Sequence, residues 1–103
     1  MQTFVVVRRG AWKTQGDVRA ARHRAARDLE RFEEVARWLR SYEVEEIDGA
    51  IGSICLYEAV TPEAIRQHSF AAALPVDEIL KVADTVVVRP DPAAGAAESG
   101  GKA

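Results

Sequence analysis

The order of strand-like and helix-like segments constrains the fold of this chain more than any other feature. Short segments rich in β-branched residues, or alternating between apolar and polar residues, are typical of strands. The sequence predicts such strands at 3–9, 36–45, 53–59 and 79–88. A helical pattern separates the first strand from the second, and another separates the third from the last.

Both helices are predicted from their spacing and from their start and stop signals. After Val18, apolar residues recur at spacings of three and four, which indicates an amphipathic helix. We expect Asp17 to be its N-cap and the helix to end near Glu34, where the alternation of the next strand takes over. The second helix is predicted over 61–74, because threonine and proline open it and Pro75 ends it.

This order of elements is that of the split β-α-β, or ferredoxin-like, fold of the α+β class. Right-handed crossovers place both helices on one face of an antiparallel sheet, with its four strands in the spatial order 4-1-3-2. The length of 103 residues suits one domain, predicted at 1–89. Residues 90–103, rich in Pro, Ala and Gly, are predicted to form a disordered tail.

Helices on one face leave the other face of the predicted sheet uncovered. We expect that face to carry several valines and an aromatic residue of the second strand. An apolar patch of this kind is unfavourable in water, and a symmetric dimer removes it from water. The topology therefore predicts a homodimer through the sheet face, of the dimeric α+β barrel type.

Composition argues against several other kinds of partner. A net charge of -2 lacks the basic excess that is typical of nucleic-acid-binding proteins. The longest apolar run, Phe4 to Val7, is too short to cross a bilayer, and no signal-peptide pattern precedes it. A single cysteine forms neither an internal disulfide nor a zinc-finger pair. We therefore expect a cytoplasmic protein that binds neither nucleic acid nor membranes.

Several segments resemble a known family of small bacterial proteins. They are WLRSY at 38–42, CLYEA at 55–59, PEAIRQH at 62–68 and the L-P-x-D-x-I pattern at 74–79. The pattern is similar to that of the DUF4242-type, nickel-binding, ferredoxin-like proteins, and the resemblance covers residues 3–88. It implies a ferredoxin-like fold, a dimer and a site for nickel or another divalent transition metal.

The candidate metal ligand is His68, the histidine of the helical motif. Its position at the edge of the buried stripe of the second helix lets an imidazole reach the sheet. Neutral imidazole is a common ligand of nickel, copper and zinc. No other histidine stands three or four residues away, so further donors are oxygen or sulfur atoms, or histidines of a second subunit. The alternative is a structural histidine bonded to a backbone carbonyl.

Candidate pocket residues are Trp38, Tyr42, Cys55 and Tyr57. Residues two apart on a strand share a face, which pairs Cys55 with Tyr57 and pairs Trp38 with Tyr42. Aromatic rings beside Arg40 are typical of a pocket for a small aromatic or anionic ligand. The same side chains also suit a core or a dimer interface.

These observations favour a small dimeric metal-binding protein, with nickel as the first candidate, over an enzyme. The alternative is a cofactor-independent monooxygenase or isomerase of the dimeric α+β barrel type, with its pocket between the helices and the sheet. His68 would then be the general base, and Tyr57 or Trp38 would orient the substrate. His23 lies on the polar face of the first helix, where we expect it to be solvated.

Overall fold

The computed structural model describes residues 1–92, so most of the predicted tail at 90–103 lies outside the described residues. The elements are β1 (Gln2–Trp12), α1 (Gln15–Leu29), β2 (Ala36–Glu45), β3 (Ile51–Ala59), α2 (Pro62–Ala71) and β4 (Glu78–Lys81). Their order is the one that the sequence predicts. No helix among the described residues is long and apolar enough to span a membrane.

The strands form one antiparallel sheet in the order β2-β3-β1-β4, which confirms the predicted ferredoxin-like topology. Phe4 pairs with Tyr57, and Tyr57 pairs with Trp38, so these side chains share a face. Against that face α2 packs Ile65, which is fully buried together with Phe4 and Tyr57. The face of the sheet that carries these residues is the helix-covered face.

The first helix covers the same face through a stripe of small residues. Ala21 and Ala25 of α1 are buried in a second cluster with Leu74, next to Trp12 and Trp38. Small side chains let the helix lie close to the sheet, and the tryptophans fill the space beside it. The predicted stripe of apolar residues is therefore the buried face of α1.

The ends of α1 differ from the prediction. The N-cap is Thr14, whose hydroxyl accepts from the Asp17 backbone N–H, and Asp17 lies in the first turn. This arrangement follows the capping-box pattern, in which an acidic residue stands three positions after a threonine. The helix ends at Leu29, because the next residues form tight turns that pack Phe32 and Val35 against the core.

The last strand is shorter than the predicted 79–88. The four residues of β4 pair antiparallel with β1, from Glu78 opposite Val7 to Lys81 opposite Phe4. The Val82 N–H then donates to the Thr3 carbonyl. Since β1 begins at Gln2, its backbone offers no further partner beyond this point. The following valines at 86–88 are therefore 70–87% exposed instead of being paired in a sheet.

A β-bulge at Leu39 changes which side chains of β2 face the helices. Trp38 pairs with Tyr57 and Arg40 pairs with the next residue of β3, Leu56, so Leu39 is an extra residue. One extra residue moves all later side chains of the strand to the other face. The prediction that Trp38 and Tyr42 share a face is therefore wrong.

Candidate functional site

A chain of four buried or nearly buried polar side chains connects the sheet with both helices. We call Arg8, Tyr57, His68 and Asp28 the buried polar chain; they come from β1, β3, α2 and α1. Arg8 Nη2 lies 3.4 Å from the Tyr57 hydroxyl, which lies 3.2 Å from His68 Nε2. His68 Nδ1 lies 2.9 Å from Asp28 Oδ2. The chain therefore joins four elements inside the core.

The protonation of these groups follows from their burial. Burial lowers the pKa of His68, and the hydrogen bond and charge of Asp28 offset only part of that effect. Since a carboxylate only accepts, Nδ1–H donates to Asp28, and Nε2 of the neutral ring accepts from Tyr57. Burial raises the pKa of Tyr57 to about 12, so its hydroxyl keeps this proton. Both ring nitrogens of His68 are therefore hydrogen-bonded.

The geometry around His68 does not fit a metal ion within one chain. Its side chain is fully buried, and Nε2, the nitrogen without a proton, accepts from Tyr57. Within residues 1–92 there is no group of three or more His, Cys, Asp or Glu side chains that could hold a metal ion. A nickel ion at His68 therefore requires donors from outside residues 1–92 of the same chain and the loss of the bond to Tyr57.

Three of the predicted pocket residues meet in a cleft between α1 and the sheet. We define this α1 cleft by Trp12, Trp38, Val18 and Leu74 on its walls and by Arg8 and Tyr57 at its base; Cys55 also lines it. The cleft has a volume of about 30 Å³, room for roughly two water molecules. It is too small to hold a drug-sized substrate without opening.

Two serine hydroxyls lie within hydrogen-bond distance of the Cys55 sulfur in the wall of this cleft. Ser41 donates to the sulfur over 3.0 Å, and the Trp38 indole N–H donates to the Ser41 hydroxyl over 2.7 Å. Ser53 lies 3.4 Å from the same sulfur. Cys55 therefore behaves as a small buried residue with satisfied polar neighbours.

The structure places Tyr42 and His23 away from this cleft. The Tyr42 hydroxyl lies on the uncovered face of the sheet, where it donates to Asp91, and Arg40 contacts both residues. His23 lies on the exposed side of α1. Neither residue contacts the buried polar chain.

Sequence reasoning missed Arg8 and Asp28. Arg8 follows Phe4 and Val6 at spacings of two, the period that places a strand residue on the buried face. In α1, Ala25 stands four residues after Ala21, and Asp28 stands three residues after Ala25. This spacing places Asp28 on the buried stripe of the helix. The spacing therefore indicates that both side chains face inward. Charged residues near the end of a strand or helix are more often exposed to solvent, which favours the opposite interpretation.

The fold and the site define a small α+β protein of the ferredoxin-like type. A family described as "Nickel responsive protein SCO4226-like" matches residues 4–82. The chain therefore belongs to the SCO4226-like family of nickel-responsive proteins, which confirms the predicted resemblance to small nickel-binding proteins.

A solved structure and a search of curated proteins complete the comparison. The crystal structure of SCO4226 from Streptomyces coelicolor A3(2) matches with a TM-score of 0.67 and 20% identity. The match covers 82% of this chain and 99% of that one, and it shows that the two share a fold. No curated protein matches the chain.

Proposed function

We propose that this protein is a homodimer that binds nickel, or another divalent transition metal, as a nickel-responsive protein of its family. Membership in the SCO4226-like family is the observation that carries the proposal for the metal. The family is defined by a response to nickel and not by a reaction, so the enzyme alternative gains no support.

The homodimer is supported by the apolar face of the sheet that the helices leave uncovered. Cross-strand pairs on this face join Val5 to Leu56 and Leu80, and Val7 to Ile54. Leu80 is 49% exposed and Ile54 is 36% exposed in the single chain. A continuous apolar sheet face is typical of an interaction surface, and a second copy offers a face of the same shape and chemistry.

The segment after β4 extends this apolar surface. Val82 is held at Thr3 on β1, while Asp91 contacts Arg40 and Tyr42 on β2, so residues 83–91 run from one side of the sheet to the other. The valines at 86–88 within it are highly exposed. Dimer formation through this side of the sheet would bury them together with the strands.

The proposed metal site keeps His68 as its candidate ligand. Its further donors are groups that residues 1–92 of a single chain do not bring together, since a second copy on the uncovered face lies across the sheet from His68. A free imidazole nitrogen is required for coordination, and Nε2 is hydrogen-bonded to Tyr57. Metal binding at His68 therefore competes with the Tyr57 hydroxyl. Because of this competition, removal of the Tyr57 hydroxyl should change the nickel affinity if His68 is a ligand. The role of His68 can therefore be tested before the other ligands are identified.

Calorimetric titration of nickel into untagged protein tests the proposal. We expect wild type to bind nickel, and His68→Gln to weaken binding by more than the 10–100-fold typical of residues that only support a ligand. Tyr57→Phe should tighten binding, because it removes the hydroxyl that occupies Nε2. His23→Gln is the matched control and should bind like wild type. Absence of nickel binding in wild type would refute the proposed function, whereas equal affinity in all variants would exclude His68.

A further inference from the structure

Arg8 is a buried positive charge without a carboxylate partner. Its side chain is 1% exposed, and no described Asp or Glu forms an ion pair with it. Its acceptors are the Pro75 carbonyl at 2.7 Å, the Ser69 hydroxyl at 3.2 Å and the Tyr57 hydroxyl at 3.4 Å. Tyr57 keeps its proton, so all three acceptors are neutral. An isolated buried ion is unfavourable unless an opposite charge compensates it.

The guanidinium of Arg8 also keeps donors for a ligand. A guanidinium has five N–H groups. The bonds to Pro75 and Ser69 use both donors of Nη1, and the bond to Tyr57 uses one donor of Nη2. Nε–H and the second N–H of Nη2 donate to no atom of residues 1–92. Since no fully buried side-chain nitrogen there lacks a partner, Nε is not completely closed off from solvent. A carboxylate can accept from these donors, and a charge-assisted bond of this kind is stronger than a bond between neutral groups.

The surroundings of Arg8 limit the ligand to a small molecule with an apolar body. Arg8 lies at the base of the α1 cleft, whose walls are Trp12, Trp38, Val18 and Leu74. The cleft volume of about 30 Å³ accommodates a carboxylate group in place of about two waters. The tryptophans are only partly buried, so a short apolar chain can lie beside them toward solvent.

The charges at the edge of the cleft favour a singly charged ligand. Glu43 lines the cleft and pairs with Arg22, whose Nε lies 3.4 Å from its carboxylate, so these two charges compensate each other. Arg8 is then the one uncompensated charge among the described cleft residues. A dianion such as phosphate would leave a negative charge unpaired among apolar walls.

We propose that the α1 cleft binds a short-chain monocarboxylate, with its carboxylate paired to Arg8 and its apolar chain against Trp12 and Trp38. The proposal is independent of nickel binding and of dimer formation. In this proposal Arg8 determines specificity, because its positive charge favours binding of a carboxylate over binding of a neutral molecule of the same shape.

Tryptophan fluorescence measures occupancy of the cleft directly, because both tryptophans of the chain line it. The probes are sodium butyrate and butyramide, which have nearly the same shape and differ in charge, with sodium chloride as the ionic-strength control. We expect butyrate to change the emission of wild type with an affinity at least about tenfold higher than that of butyramide.

Variants distinguish the contribution of the Arg8 guanidinium to binding from that of the other cleft residues. Arg8→Gln should lose the preference for butyrate, while Arg8→Lys should keep part of it. Arg66→Gln is the control, because Arg66 is an exposed arginine of α2 that pairs with Glu63 outside the cleft. If Arg8→Gln does not fold, Ala21→Leu fills the cleft from α1 and should abolish binding. Equal affinity for butyrate and butyramide, or no response to butyrate in wild type, would overturn the proposal.

Discussion

Burial of a neutral His68 predicts that the folded state loses stability in mild acid. The unfolded chain binds a proton at His68 below its ordinary pKa of about 6.5. In the folded state burial lowers that pKa, and the nearby charge of Arg8 acts in the same direction. Below about pH 6.5 the unfolded state therefore binds more protons than the folded state, so the free energy of unfolding rises with pH up to that value and then levels off.

The size of this effect is bounded by the single proton involved. A one-proton difference gives a slope of at most about 1.4 kcal/mol per pH unit. Urea unfolding at fixed protein concentration, in steps from about pH 5 to pH 7.5, measures the slope, because carboxylates titrate mostly below this range. We expect His68→Gln to flatten the slope and His23→Gln to keep it. An identical slope in wild type and His68→Gln, or a free energy of unfolding that falls as pH rises toward 6.5, would refute the reasoning.

Four further predictions concern packing, helix propensity, capping and association. Gly52→Ala should destabilise the fold by about 2–3 kcal/mol in urea unfolding, because its Cβ would lie 2.5 Å from the Arg8 carbonyl oxygen. Gly16→Ala meets only ordinary contacts and should be neutral or stabilise by about 0.5 kcal/mol. Thr61→Ala removes the N-cap of α2 and should lower the free energy of unfolding by about 1 kcal/mol. Ile54→Asp places a charge on the uncovered sheet face and should shift sedimentation from dimer to monomer at micromolar concentration; an unchanged dimer would contradict the proposed interface.

The fold was predictable because each element carries its own local signal. Alternation with a period of two defines β3, and spacings of three and four define α1. The start of α2 at Thr61 and Pro62 is a local signal as well. Once the order of elements is known, the handedness of the crossovers leaves few arrangements of the sheet.

The bulge at Leu39 and the end of β4 were not predictable, because both depend on a partner strand. No glycine marks the bulge, and a pattern of alternating residues looks the same with or without one extra residue. The length of β4 depends on where β1 begins, which is information from the other end of the chain.

The candidate site was predicted only in part for a similar reason. Spacing along α2 placed His68 at the edge of the buried stripe, whereas the structure buries it completely within that stripe, next to Ala64 and Ile65. Its bonds to Tyr57 and Asp28 cross 11 and 40 positions of sequence and depend on how three elements pack. A single sequence shows which residues face inward, but it does not show which of them meet.

Native mass spectrometry of the untagged protein, exchanged into a volatile buffer with nickel, tests the proposed function most directly. It reads the number of chains and the number of metal ions in the same particle. One chain has a mass of 11.3 kDa. We predict a species with the mass of two chains plus nickel, which loses the metal in His68→Gln and keeps it in His23→Gln. A species with the mass of one chain and without nickel, under conditions in which the protein is folded, would contradict the account.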